Sequence, residues 1–320
     1  MQHYSKSNRE KSYGSPQRKE WESGHMSYRV FVNATIDMNQ KVAADCSSAV
    51  IVPMQIEVDG HHYMYGPDGD ISICEFYDAQ REEKGLKIQP LTATAYFDFF
   101  DAWLAKGEDV LYLVSSVIPN SFSVLTVCLR ELRKKYKNRQ IFFVDTYAVS
   151  IGETLLLYEV LRQQKEGTSI EELAGWLIEG RLNVCQWFAI NTFEHLMQAE
   201  IEIPFMRGIE NIYRINPLLG MDETGELVLM EKLSGSPKTM YSMFSRLERG
   251  WKPEYGNKII IGYSECSEYA EQLRKCLLYE CCIADITVTE LGPGIGIYTG
   301  SEALAIAYWG SNRLTDKKRC

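Results

Sequence analysis

Two compact apolar runs, Val110–Val114 and Ile141–Val144, flank a helical stretch at Ser121–Lys137, and this spacing constrains the fold more than any other feature. Short continuous apolar runs suit strands buried on both faces, the environment of a parallel sheet. Parallel neighbours need a crossover long enough to hold a helix. Arg29–Asn33 supplies another β-branched and aromatic strand, and Ala49–Asp59 adds strand character that ends at the turn signal Asp59-Gly60. Ile71–Glu83 has helical spacing through Ile73, Phe76 and Tyr77. Tyr96, Phe99, Phe100, Trp103 and Leu104 mark one face of a further helix closed near Gly107. This alternation predicts a parallel, Rossmann-like α/β domain through residue 160.

The second half reads differently. Glu153–Gln163 and Ser169–Ile178 are expected helices, the latter opened by a capping-box pattern at Thr168-Ser169-Ile170-Glu171. Strand signals follow at Cys185–Ile190, Leu218–Met221, Leu227–Glu231, Lys258–Gly262, Asp285–Leu291 and Ala303–Trp309. Several of these strands succeed one another without a helix, which predicts a mixed sheet with flanking helices. A chain of 320 residues has room for two such domains. The expected boundaries are a flexible leader at 1–27, an N-terminal α/β domain at 28–160, a C-terminal α/β domain at 161–312 and a tail at 313–320.

Charge and cysteine usage narrow the function. A formal charge of −9 argues against nucleic-acid binding, which needs a basic face to displace counterions. The cluster Arg130, Arg133, Lys134, Lys135, Lys137 and Arg139 fits the C-terminal end of a solvated helix. Nine cysteines without a Cys-x-x-Cys pair, and residues 1–25 without an apolar core, predict free thiols in a cytoplasmic protein. No run of 18 apolar residues exists, so no membrane span is expected. Only Cys281-Cys282 approach ligand spacing, and on a strand they would face opposite ways, so no metal site is expected.

No catalytic constellation is visible, and no cofactor is expected. His61 and His62 follow the Asp59-Gly60 turn as a hairpin rim, and His195 sits beside no nucleophile motif. The glycines of Gly292–Gly300 have the wrong spacing for Gly-x-Gly-x-x-Gly and precede strand residues, so a structural loop is the preferred reading. Asp145, at a strand end, is expected to cap the next helix rather than meet a ligand. The Tyr96–Leu104 stripe is read as core before acyl tunnel.

Leu86-Lys87-Ile88-Gln89, Asp109–Asn120, Val144–Gly152 and Gly292–Gly300 together resemble the DegV family, whose members are two-domain bacterial binders of long-chain fatty acids. The resemblance runs over roughly residues 29–309 and implies a DegV-like two-domain fold. The family's Lys-Thr-Ser is Lys87-Ile88-Gln89 here, and its Leu-Ser-Gly-Thr is Ile118-Pro119-Asn120-Ser121, so the hydroxyls that hold a fatty-acid carboxylate are replaced by Ile88 and Pro119. Basic family segments are also lost at Met197–Ile201 and Leu233–Ser236, the family's Gly-x-His becomes Gly262-Tyr263-Ser264, and a frequent His-Thr-Gly becomes Tyr298-Thr299-Gly300.

The apolar frame therefore survives where polar recognition is lost. About fifteen buried methylenes at about 0.8 kcal/mol each give roughly 12 kcal/mol before association costs, against a few kcal/mol for two lost neutral hydrogen bonds. The leading expectation is non-catalytic binding of a long-chain fatty acid or similar apolar ligand in an interdomain cleft, with an altered or uncharged headgroup. Ile88, Gln89, Ser115, Ser116, Pro119, Asn120, Ser264 and Tyr298 are the candidate ligand-binding residues, with Arg207 and Arg214 nearby. Loss of the basic segments argues against a family-type fatty-acid kinase partner. The alternative is a degenerate paralogue that acts through protein contacts.

Overall fold

The computed structural model describes residues 28–115, 118–198, 216–233 and 235–313; the expected leader, the expected tail after Arg313, and Arg207 and Arg214 lie outside them. Four strands, β1 (Tyr28–Asn33), β2 (Val50–Val52), β6 (Asp109–Val114) and β7 (Ile141–Asp145), form a parallel sheet in the order β2-β1-β6-β7. β6 is buried at all six positions, as its unbroken apolar sequence requires. β3 (Met54–Val58), β4 (His61–Tyr65) and β5 (Leu86–Gln89) make a separate antiparallel sheet, β4-β3-β5. The expected strand at Ala49–Asp59 is thus two strands in different sheets, and His61 and His62 are exposed where the hairpin rim was expected.

The outer face of the parallel sheet is covered by α3 (Ala93–Leu104) and α4 (Ser121–Lys135), which also pack on each other. Tyr96, Phe100 and Leu104 of α3 join Phe31, Tyr112 and Leu125 in one apolar cluster. The Phe100 ring lies 5.3 Å from Phe31 and 5.1 Å from Tyr112. The aromatic stripe is core.

The second sheet is mixed, ordered β10-β9-β8-β13-β11-β12, with only β11 and β12 parallel. It contains β8 (Val184–Ala189), β9 (Asn216–Met221), β10 (Leu227–Leu233), β11 (Ile259–Tyr263), β12 (Ile286–Glu290) and β13 (Leu304–Trp309), matching the six strands expected from sequence. One face carries α8 (Ser236–Gly250) and α9 (Ser267–Glu280). The other receives α5 (Ile151–Lys165), which packs on β8, β11 and β13 and on α6 (Ile170–Gly180). Ser169 and Glu172 form the capping box of α6, one residue later than the sequence pattern suggested.

One apolar cluster runs from Val32 and Leu113 of the parallel sheet, through Leu155 and Leu156 of α5, to Phe188 and Ala305 of the mixed sheet. The two lobes therefore share a core, with α5 as the layer between them. Two more helices lie at this seam: α2 (Ile73–Arg81), and α10 (Pro293–Thr299), which packs on α2 and β5. The Gly292–Gly300 run, expected as a loop, is mostly helix.

Candidate functional site

The C-terminal ends of parallel strands are where α/β folds place ligand contacts. Here β1 ends in Asn33 and leads into Thr35 and Asp37, β6 leads into Ser115, and β7 leads through Asp145 into the start of α5. These polar residues meet in a buried layer. The Asn33 side-chain oxygen accepts from the Ser115 amide at 3.2 Å, and the Ser115 hydroxyl donates to the Ala148 carbonyl at 3.4 Å. Thr35 donates to Glu153 Oε2 at 2.7 Å. Asp37 takes the Gly292 amide on Oδ1 at 2.7 Å and the Ser150 hydroxyl on Oδ2.

Both carboxyl groups are fully buried, and burial dominates their titration. It pushes Asp37 up to about 7, against the Gly292 and Ser150 hydrogen bonds that hold it down. Burial also raises Glu153 well above the ordinary range, opposed by Thr35 and reinforced by the negative charges of Asp145 and Asp37. Glu153 Oε1 has no hydrogen-bond partner. Asp145 is raised to about 6 by burial, opposed by the Tyr147 amide and the Arg181 charge. Its Oδ1 accepts from the Tyr147 amide at 3.0 Å, so Asp145 braces the loop and does not cap α5, whose N-cap residue is Ser150.

The expected ligand-binding residues fall into three groups. Ile88 and Tyr298 are buried on β5 and α10, which pack together, and both belong to the shared apolar cluster. Burial raises the Tyr298 phenol to about 12. Ser115 and Ser264 are buried with hydroxyls turned to the chain's own backbone, Ser264 donating to Gly300 at 2.8 Å and accepting from Ala303 at 3.0 Å. Pro119 and Asn120 are exposed at the start of α4, and Gln89 donates to Glu57 at 2.6 Å on the antiparallel sheet. Ser116 lies outside the described residues.

A cavity of about 690 Å³ opens at the edge of the C-terminal lobe, and sequence reasoning did not find it. Ala189, Ile190, Met240 and Leu304 supply apolar lining at the ends of β8 and β13 and on α8. Glu265, Glu268 and Glu302, all exposed, and Asn191 and Asn216 supply polar lining, and no lysine, arginine or histidine takes part. Glu265 is ion-paired with Arg81 of α2, so the cavity mouth adjoins the seam with the N-terminal lobe. Its residues come from five separated segments, and only their β8 and β13 parts carried a strand signal.

Asp37 and Glu153 were also missed. Their signal was faint: polar residues immediately after a strand, and a Ser-x-Gly-Glu run opening a helix. Among the described residues no group of three or more His, Cys, Asp or Glu is arranged to hold a metal ion. Cys281 ends α9 and Cys282 follows with positive φ, so the pair is not on a strand. Among the described residues Cys46, Cys74, Cys128, Cys266, Cys276, Cys281 and Cys282 are free thiols. No helix among the described residues is long and apolar enough to cross a membrane.

Comparison with known proteins agrees with this architecture. A family model described as an uncharacterised protein of the DegV family matches residues 27–310. A DegV domain-containing protein of Clostridium perfringens is 25% identical over 285 residues, covering 89% of this chain and 98% of the relative. A Thermus thermophilus structure described as fatty acid binding of a DegV family protein superposes with a TM-score of 0.75 at 18% identity, covering 89% of this chain and all of the other. The Fatty Acid Kinase (Fak) B3 protein of Streptococcus pneumoniae, loaded with linoleic acid, gives a TM-score of 0.76 at 15% identity with the same coverage. The match extends across both lobes, and the chain belongs to the DegV family.

Proposed function

We propose that the protein binds a long-chain fatty acid or a related apolar ligand at the seam between its lobes, and carries it without chemical change. The observation that carries this reading is the cavity of about 690 Å³ beside the seam, where Ala189, Ile190, Met240 and Leu304 give an apolar floor within a largely polar lining, in a fold whose neighbours are described as holding fatty acids. That volume falls within the range of about 300–1,000 Å³ common to small-molecule sites. In this reading the headgroup lies at the cavity mouth near Glu265, Glu268 and Glu302, which Ile88 and Tyr298 do not line, and the cytoplasm is the compartment. The acidic lining supports a ligand handled without a family-type kinase, whose phosphoryl chemistry calls for basic side chains. Native mass spectrometry of protein purified from a bacterial host is the test. We expect a bound long-chain species, or uptake of one when palmitate or palmityl alcohol is added. Protein that stays empty after both additions ends the proposal.

A second reading, a paralogue acting through protein contacts, draws on the Ser115 and Ser264 hydroxyls being committed to backbone carbonyls. It expects a protein partner in pull-downs and no bound lipid. A lone monomer that retains lipid removes it.

A further inference from the structure

We propose that Asp37 is a proton-operated latch: its carboxyl group holds the strap Val288–Gly300 against the N-terminal lobe, and loss of its proton loosens the strap. Four side chains of the N-terminal lobe hydrogen-bond the strap, and Ser264 of the C-terminal lobe holds its end through the Gly300 carbonyl. Asn39 donates to the Val288 carbonyl at 2.6 Å, Tyr77 to Leu291 at 2.8 Å, and Gln80 to Gly296 at 3.0 Å. The fourth is the Gly292 amide on Asp37 at 2.7 Å, the one bond of the four whose acceptor can titrate. The same carboxyl group takes the Ser150 hydroxyl at the head of α5. One side chain thus joins the loop after β1, the central helix and α10.

The surroundings decide the direction. Asp37 is fully buried. The titratable groups that face it are Glu153 of α5, Tyr65 of β4 and Tyr77 of α2, each coupled to its charge. Glu290, at the exposed end of β12, is acidic, and Tyr298 of α10 is a buried phenol. None is a cation, so an ionised Asp37 has two donors and no counter-charge. A released strap would return the carboxyl to water and toward its ordinary value of 3.8, whereas the closed form holds it near 7. A group raised in the closed state stabilises closure below the lower value and loses that contribution as pH rises through the higher one. Closure weakens from about pH 4 to about pH 7, and opening rises about tenfold between pH 6 and pH 8.

The strap carries Ile295, Ile297 and Tyr298 of the shared apolar cluster, so loosening it would expose the seam. The link to a ligand rests on the acyl-binding reading; the latch itself does not. Hydrogen exchange on the full chain without ligand, read on peptides covering 288–300 and divided by intrinsic rates, tests it. We expect strap opening to increase about tenfold from pH 6 to pH 8, with no such change in Asp37→Asn. Ser150→Ala removes a donor that lowers the Asp37 value, so its transition should move to higher pH, which a purely structural contact would not produce. Equal corrected exchange at both pH values in the unmodified protein overturns the latch, as does an Asp37→Asn variant that keeps the pH dependence. Lipid-free protein that passes this test leaves the latch standing even if no acyl chain binds.

Discussion

Glu153 combines full burial, one hydroxyl donor from Thr35 and a second oxygen with no partner, so its protonated form suits the native state. Its raised titration makes native stability fall as pH climbs above the ordinary carboxyl value of 4.5, because the unfolded chain releases the proton first. Glu153→Gln keeps the shape and cannot ionise. Urea unfolding should show the variant within about 1 kcal/mol of the parent at pH 5 and more stable than the parent at pH 9; a parent that gains on the variant with rising pH contradicts the assignment. Such a residue is hard to read from sequence, since a glutamate at the start of a helix is ordinarily a solvated partner for the helix dipole. The same limit applies to Ser115 and Ser264. Both were expected as ligand-binding hydroxyls, and the structure turns them to the backbone carbonyls of Ala148 and Gly300, acceptors placed only by the tertiary fold.

Central strands were legible because burial on both faces leaves nearly unbroken apolar runs, as in β6 and β13, while the edge strands β10 and β12 are only part-buried and were found by their β-branched and apolar residues. The four-residue β5 escaped because two alternations are too few to register. α10 escaped for a different reason. Its Pro-Gly-Ile-Gly sequence has poor intrinsic helix propensity, and contact with the N-terminal lobe overrides it. A Cβ at Gly294 would stand 2.8 Å from the Thr35 Cα, and one at Gly296 would stand 2.6 Å from the Tyr77 hydroxyl oxygen. Gly294 permits close approach to the main chain at Thr35, and Gly296 leaves room for the Tyr77 and Phe76 rings. Gly294→Ala should therefore lower stability by about 1–3 kcal/mol through overpacking against a main-chain atom. Gly175→Ala is the contrasting case: inside α6, with nothing within 4 Å of an added Cβ, it should raise stability by about 0.5–1 kcal/mol. Thermal unfolding of the two variants would place their midpoints on opposite sides of the parent; two shifts of the same sign would refute the packing argument.

At the scale of the molecule, the apolar frame and the polar decoration have separate constraints. Of the three apolar clusters, one is continuous through α5 and ties the lobes together, while the other two fill the outer layers, so family resemblance in apolar positions was enough to anticipate both lobes. The decoration is acidic where the ligand is proposed to sit: Glu265, Glu268 and Glu302 line the cavity, within a chain of net charge −9. A carboxylate head brought to that mouth meets like charge, whereas an alcohol head does not. Glu268 and Glu302 are exposed, so each acts through solvent and contributes only about 0.2–1 kcal/mol. The double variant Glu268→Gln/Glu302→Gln should therefore bind palmitate a few-fold more tightly at low ionic strength and bind palmityl alcohol unchanged. At about 0.5 M salt the gain should shrink, because the Debye length falls below the spacing of such groups. Equilibrium displacement of a fluorescent acyl probe measures all of these affinities. An equal gain for both ligands would mean that the substitutions reshape the cavity, and the acidic lining would then have no part in choosing the head group.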